Sequence, residues 1–229
     1  MRTIVYTDPK KTNLTIKKGK ISIVESEDHV TEEPETIVMN KENYHASHNR
    51  LDKVYIPSTL LESVTENVHV FFELEQYPFF RKIKETITDK KGVLRFRRKI
   101  GKKDIEKLVA SDLYMFSSIL GDPQTIRVKY SDRSIEPYHI IVTVDYKEQA
   151  MAHLEYTVCD SEEQIELEWS GIKQIIEFNS EEMNPLQPKK YTTLSYTIDS
   201  IISNARKADQ DMVNQLHAYT QLVFGGANE

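Results

Sequence analysis

The stretch VHVFFELEQYPFFRKIKETITDKKGVLRFRRKI, residues 68–100, carries the reading. Val68–Phe72 has the β-branched and aromatic composition of a buried strand. Pro78 suits the first turn of a helix, where its missing N–H would find no partner anyway. Phe79, Phe80, Ile83 and Ile87 then share one helical face, and Gly92 ends the segment with Lys90 and Lys91 in the last turn. From Val93 to Ile100, Leu94 and Phe96 alternate with Arg95 and Arg97, the pattern of a half-buried strand.

Downstream, Asp104 is the candidate N-cap of a long helix. Ile105, Leu108, Val109, Leu113, Phe116, Ile119 and Leu120 recur at mostly three- and four-residue steps, and Gly121 and Pro123 stop it. Strand patterns follow at Thr125–Tyr130, Tyr138–Tyr146, Ala150–Val158, Ile165–Trp169 and Lys173–Phe178. Turn residues or charges separate them, which predicts an antiparallel sheet with a hairpin loop at Asp160–Glu163. Two helices, about Thr193–Lys207 and Gln210–Val223, complete the pattern. Upstream, short strands are expected at Thr3–Tyr6, Ile21–Glu25, Glu35–Met39 and Lys53–Ile56. Helices are expected in Asn40–Asn49 and, with Ser58 as N-cap, in Ser58–Glu66. Glu25–Glu35 holds six acids and a proline and reads as an exposed loop.

These elements predict an α+β fold. An open, mostly antiparallel sheet backed by helices (67–229) follows a reduced α/β, partly Rossmann-like segment (1–66). The 229 residues suffice for one large domain or two small ones. No run approaches the ~20 apolar residues of a membrane helix, and MRTIVYTDPKK becomes polar at once. The lone Cys159 fits a reducing compartment, so a cytoplasmic protein is expected. A net charge of −6 argues against nucleic acid. Of seven glycines, Gly19 alone precedes Gly92. The closely spaced glycines that let a backbone approach a pyrophosphate are missing from the N-terminal region.

The quoted run resembles a junction in the glucose–fructose oxidoreductase/inositol dehydrogenase (Gfo/Idh/MocA) family. There the last cofactor-domain strand leads through a proline into a helix, a glycine and the first strand of the substrate domain. ASDLYMFSSILGDPQTIRV resembles that family's site helix, and IELEWSGIKQIIEF its late hairpin. The resemblance covers about Asn67 to the C-terminus and implies descent from NAD- or NADP-dependent oxidoreductases. Three expected motifs are absent. MRTIVYTDPKKTNL has no glycine-rich turn, and no Glu-Lys-Pro occurs in the chain. The family's helical aspartate–histidine pair falls on Lys107 and Ser111. The expectation is therefore a non-catalytic relative with a binding, regulatory or oligomerisation role and no cofactor. The alternative is an active NAD- or NADP-dependent oxidoreductase on a sugar- or polyol-like substrate, with an atypical cofactor site.

No catalytic residue is assigned. If an ancestral cavity persists, Glu73, Lys107, Ser111 and Tyr114 are its candidate lining, suited to a small hydroxylated or anionic ligand. Lys107, Ser111 and Tyr114 form one helical stripe. The basic run Lys90, Lys91, Arg95, Arg97, Arg98, Lys99, Lys102 and Lys103 reads as a solvated strand face opposed by acids, or alternatively as an anion patch. His45 and His48 would share a helical face and suggest a metal with Glu42, Asp52 or His29, but an exposed polar helix or loop is the better reading of them. Trp169 reads as core or sheet-face packing, with a ligand wall or interface anchor as the alternative, and His139 and His153 read as sheet-face residues rather than bases. Outward Tyr, Ile, Met and Trp on the open sheet would need covering, which predicts a homodimer through that face.

Overall fold

The computed structural model describes residues 3–14, 21–24, 36–45, 53–147, 149–182 and 190–225. In chain order its strands are β1 (Thr3–Thr7), β2 (Thr12–Asn13), β3 (Ile21–Ile23), β4 (Thr36–Asn40), β5 (Lys53–Pro57), β6 (Val68–Phe71), β7 (Gly92–Ile100) and β8 (Pro123–Tyr130). They continue with β9 (Tyr138–Tyr146), β10 (Ala150–Val158), β11 (Gln164–Gly171), β12 (Ile175–Asn179), β13 (Glu181–Glu182), β14 (Lys190–Tyr191), β15 (Tyr196–Thr197) and β16 (Arg206–Lys207). The α-helices are α1 (Glu73–Gln76), α2 (Pro78–Thr86), α3 (Ile105–Leu120), α4 (Ile198–Asn204) and α5 (Gln210–Gly225). Two compact units result: Met1–Arg81 with Ser195–His217, and Lys82–Leu194 with Ala218–Glu229.

The first unit is built on a sheet in the order β3-β4-β1-β5-β6-β16, parallel except for the last pair. Val5, Ile37, Val38, Ile56 and Val70 are fully buried, as expected where both faces of a parallel sheet are covered. The unit runs past the expected boundary at 66 because β6 pairs parallel to β5 and β16 adds to β6 from far along the chain. The helix expected over Ser58–Glu66 is a single 3-10 turn, Ser58–Leu60, without a side-chain cap. Glu62 and Glu66 would repel at i, i+4 in a helix, and Val64 and Thr65 are β-branched. At Asn40–Asn49 the described part is likewise one 3-10 turn, Lys41–Asn43, with the Asn40 side chain accepting from the Glu42 N–H. Glu25–Glu35, His29, His48 and Asp52 lie outside the described residues.

In the second unit the order is β12-β11-β7-β10-β9-β8, antiparallel except for the β7–β10 pair. This is the open, mostly antiparallel sheet of the expected α+β fold, with α3 on its apolar side. Phe96 on β7 meets Phe116 on α3 edge to face at 5.0 Å. β10 and β11 flank β7, so Cys159–Glu163 crosses the end of β7 and is not the hairpin loop expected there. α3 begins after Asp104, whose carbonyl accepts from Leu108 while its carboxylate makes no cap bond. Gly121 ends α3 at φ 98°, a conformation that glycine adopts without a Cβ penalty.

The helix expected from Thr193 begins at Ile198. The Thr197 hydroxyl accepts from the Ser200 N–H at 3.1 Å, and the flanking β15 and β16 are extended. On the outward face of the second sheet, Arg95 pairs with Glu168 (2.8 Å), Arg97 with Glu166 (3.3 Å) and Arg127 with Asp145 (3.2 Å). The basic run is therefore largely a strand face opposed by acids. Trp169 points to the helix-covered side and is fully buried, so it packs in the core and drops out of the outward set that would need covering. Among the described residues no helix is long and apolar enough to cross a membrane.

Candidate functional site

In an open parallel sheet, ligands bind beyond the carboxyl ends of the strands, where the strand order reverses. In the first unit that place lies beyond β1 and β5, because the chain goes from β1 toward β4 on one side and then to β5 on the other. β1 ends at Thr7. Residues 8–11 then turn into β2, which pairs with β15 through Tyr196↔Thr12 and Thr197↔Asn13.

The polar groups of this turn are spent on one another. The Thr12 hydroxyl donates to the Asp8 carbonyl (2.8 Å) and lies 2.8 Å from the Thr7 hydroxyl, itself 3.3 Å from that of Tyr196. One direction of donation satisfies the set, from Tyr196 to Thr7 to Thr12 to Asp8. Burial, and then the charge of Glu73, raise the Tyr196 pKa well above its usual value, so this hydroxyl stays protonated and can donate. The backbone N–H groups of Lys10 and Lys11 point to the Asp8 carboxylate (2.9 Å) and carbonyl (3.1 Å). A pyrophosphate needs such N–H groups aimed outward.

Glu73, a sequence candidate, begins α1 just beyond β6. Its carboxylate accepts from Lys11 Nζ at 2.9 Å and from the Tyr77 hydroxyl at 3.4 Å. The rest of α1 is equally engaged. Arg206 holds the Glu75 carboxylate at 2.6 Å, and the Gln76 side-chain oxygen accepts from Ser200 at 2.8 Å. Glu73 thus belongs to an interlocked set that ties residues 7–12 and 196–206 to the end of β6.

Lys107, Ser111 and Tyr114 lie on α3 in the second unit, Ser111 buried and the other two half-buried. Glu73 is in the first unit, and the other three share their predicted stripe. The residue that sequence reasoning passed over is their neighbour Asp112, which has no exposed surface. Its two carboxylate oxygens accept from Arg98 Nη1 at 2.9 and 2.8 Å, and Tyr156 donates to it at 3.3 Å. Arg98 Nε donates to Glu163 at 2.6 Å. Burial first, then the Asp112 charge, raise the Tyr156 pKa well above its ordinary value. Arg98 is therefore not part of the solvated strand face. A signal was present, since Arg98 shares the inward parity of Leu94 and Phe96, and Asp112 is the lone charge in LVASDLYMF.

Among the described residues no group of three or more His, Cys, Asp or Glu is placed to hold a metal ion. His139 and His153 are half-buried on the outward sheet face.

No family model and no curated protein matched the sequence. Solved structures do match. A myo-inositol dehydrogenase from Corynebacterium glutamicum is 10% identical at a TM-score of 0.53, over 78% of this chain and 70% of that one. The UDP-N-acetylglucosamine 3-dehydrogenase from Acidithiobacillus ferrooxidans is 9% identical at 0.53, over 76% and 70%. A dehydrogenase from Chromobacterium violaceum is 8% identical at 0.52, over 76% and 68%. The resemblance read from residues 68–100 extends to three dimensions, and the chain has the fold of the Gfo/Idh/MocA-type dehydrogenases.

Proposed function

We propose that this chain is a non-catalytic relative of those dehydrogenases and acts as a binding or regulatory protein. The observation that carries the reading is the closed turn after β1. Thr7, Thr12 and Tyr196 are buried and mutually hydrogen-bonded, and the Lys10 and Lys11 N–H groups are turned onto Asp8. A dinucleotide bound at this end of the sheet would have to break that set and would gain no glycine turn in return. A homodimer through the open sheet face belongs to the proposal on an altered basis. The basic row of β7 lies beside the acidic row of β11, so a second copy can oppose unlike rows, and added salt would weaken the pair.

The second reading, an active NAD- or NADP-dependent oxidoreductase, draws on the parallel order β3-β4-β1-β5-β6, which resembles that of a dinucleotide-binding sheet. Titration calorimetry separates the two. NADH and NADPH should show no saturable heat up to about 1 mM, whereas a micromolar dissociation constant for either would overturn the first reading. In a thermal-shift series, sugars, polyols and their phosphates test for a retained ligand. A binder at a hundredfold excess over its dissociation constant stabilises the native state by about 2.7 kcal/mol.

A further inference from the structure

β8 is the edge of the second unit's sheet, and among the described residues no strand pairs with its outer side. Along that side lies a groove of about 720 Å³. One wall is four consecutive β8 residues, Ile126, Arg127, Val128 and Lys129. The other is Ala218, Gln221, Leu222 and Gly225 of α5, spaced i, i+3, i+4, i+7 and so a single helical stripe. The opposite face of α5 is engaged. Tyr219 donates to Ser117 at 3.2 Å, Tyr130 donates to the Val223 carbonyl, and Val223 is fully buried. Leu222, by contrast, is 45% exposed and faces the groove.

We propose that this groove binds an extended peptide as a seventh strand on β8, with apolar and acidic residues alternating along it. An edge strand supplies backbone donors and acceptors, and a helix stripe beside it supplies the apolar floor. Because side chains of a strand alternate between faces, every second residue of the added strand meets Ile126, Val128, Ala218 and Leu222. The residues between them lie beside Arg127 and Lys129, exposed on the other face. Arg127 already approaches Asp145 at 3.2 Å, so Lys129 supplies most of the preference for acid. The same charges disfavour a second copy as occupant. Antiparallel pairing of two β8 strands about Val128 sets each Arg127 opposite the other copy's Lys129. The inference does not depend on whether a dinucleotide binds.

The test uses the full chain and a fluorescent, end-blocked peptide of about seven residues alternating valine with glutamate. Anisotropy should saturate, and the valine–lysine counterpart should bind at least about tenfold more weakly. Lys129→Glu should narrow or reverse that preference. Leu222→Asp and Ala218→Glu, both at exposed helix positions, should each weaken the glutamate peptide about tenfold at unchanged melting temperature. The proposal is overturned if no saturation occurs by about 1 mM, if both peptides bind alike, or if neither groove variant affects binding. A dimer that Leu222→Asp converts to monomer would also overturn it, since a second copy would then fill the groove.

Discussion

Arg98 and Asp112 are both withdrawn from water, and each is tolerable there only while its partner and remaining hydrogen bonds persist. Asp112→Ala should therefore cost about 3 kcal/mol in urea unfolding, because it removes the carboxylate that meets Arg98 Nη1 and leaves the buried guanidinium with Glu163. Arg98→Met combined with Asp112→Leu should recover much of that loss, whereas a double variant as unstable as the single would refute the account. Legibility at this scale depended on parity. Leu94 and Phe96 were readable as inward, and the same count puts Arg98 inward, yet grouping it with seven other basic residues hid its position. Gly92 reads in the sequence as a helix stop with Lys90 and Lys91 in the last turn, but α2 already ends at Thr86 and Gly92 opens β7, where its constraint comes from across the sheet. A Cβ there would lie 2.5 Å from the Ser170 carbonyl oxygen and 2.9 Å from the Trp169 ring, and no local pattern announces such a contact.

Strands were the most legible elements because a period of two survives in short segments, and β9 and β10 have the bounds their alternation predicts. Helix ends were less so. Apolar spacing suggested a start at Thr193, while α4 starts where a hydroxyl can take an N–H, at Thr197. Thr197→Ala should cost about 1 kcal/mol of stability, and Thr197→Ser should restore most of it. Equal melts for wild type and Thr197→Ala would mean the cap is idle. Pairing was the hardest to read. β10 and β11 are consecutive and look like a hairpin, yet β7 lies between them. That insertion is a long-range choice, reinforced by burying Arg98 of β7 against Glu163 in the crossing segment.

For the whole molecule, the α+β class and the order of elements could be read from patterning, whereas the closure of the β1 turn could not. It depends on Thr12 meeting Tyr196, residues 184 positions apart. Buried tyrosines also set a pH limit. Burial raises the pKa of Tyr156 and Tyr196 well above 10.0 and raises that of Tyr146 as well. An acid held neutral in this way contributes stability that is complete below the unfolded value and is lost as pH climbs past it. Thermal stability should accordingly decline above about pH 10, with part of the tyrosinate absorbance appearing only on unfolding. All twelve tyrosines titrating together in an intact fold would contradict this. The first unit leaves off at Arg81 and resumes at Ser195, and Ser200, Arg206 and β15 supply partners to Gln76, Glu75 and β2. On a ribosome at roughly 5–20 residues per second, the parallel sheet must wait many seconds for those partners, with the edge of β6 open meanwhile. The portion made first thus stays incomplete through most of synthesis, until His217 has been added, and a nascent chain stalled before Ser195 presents a sheet that other chains can extend.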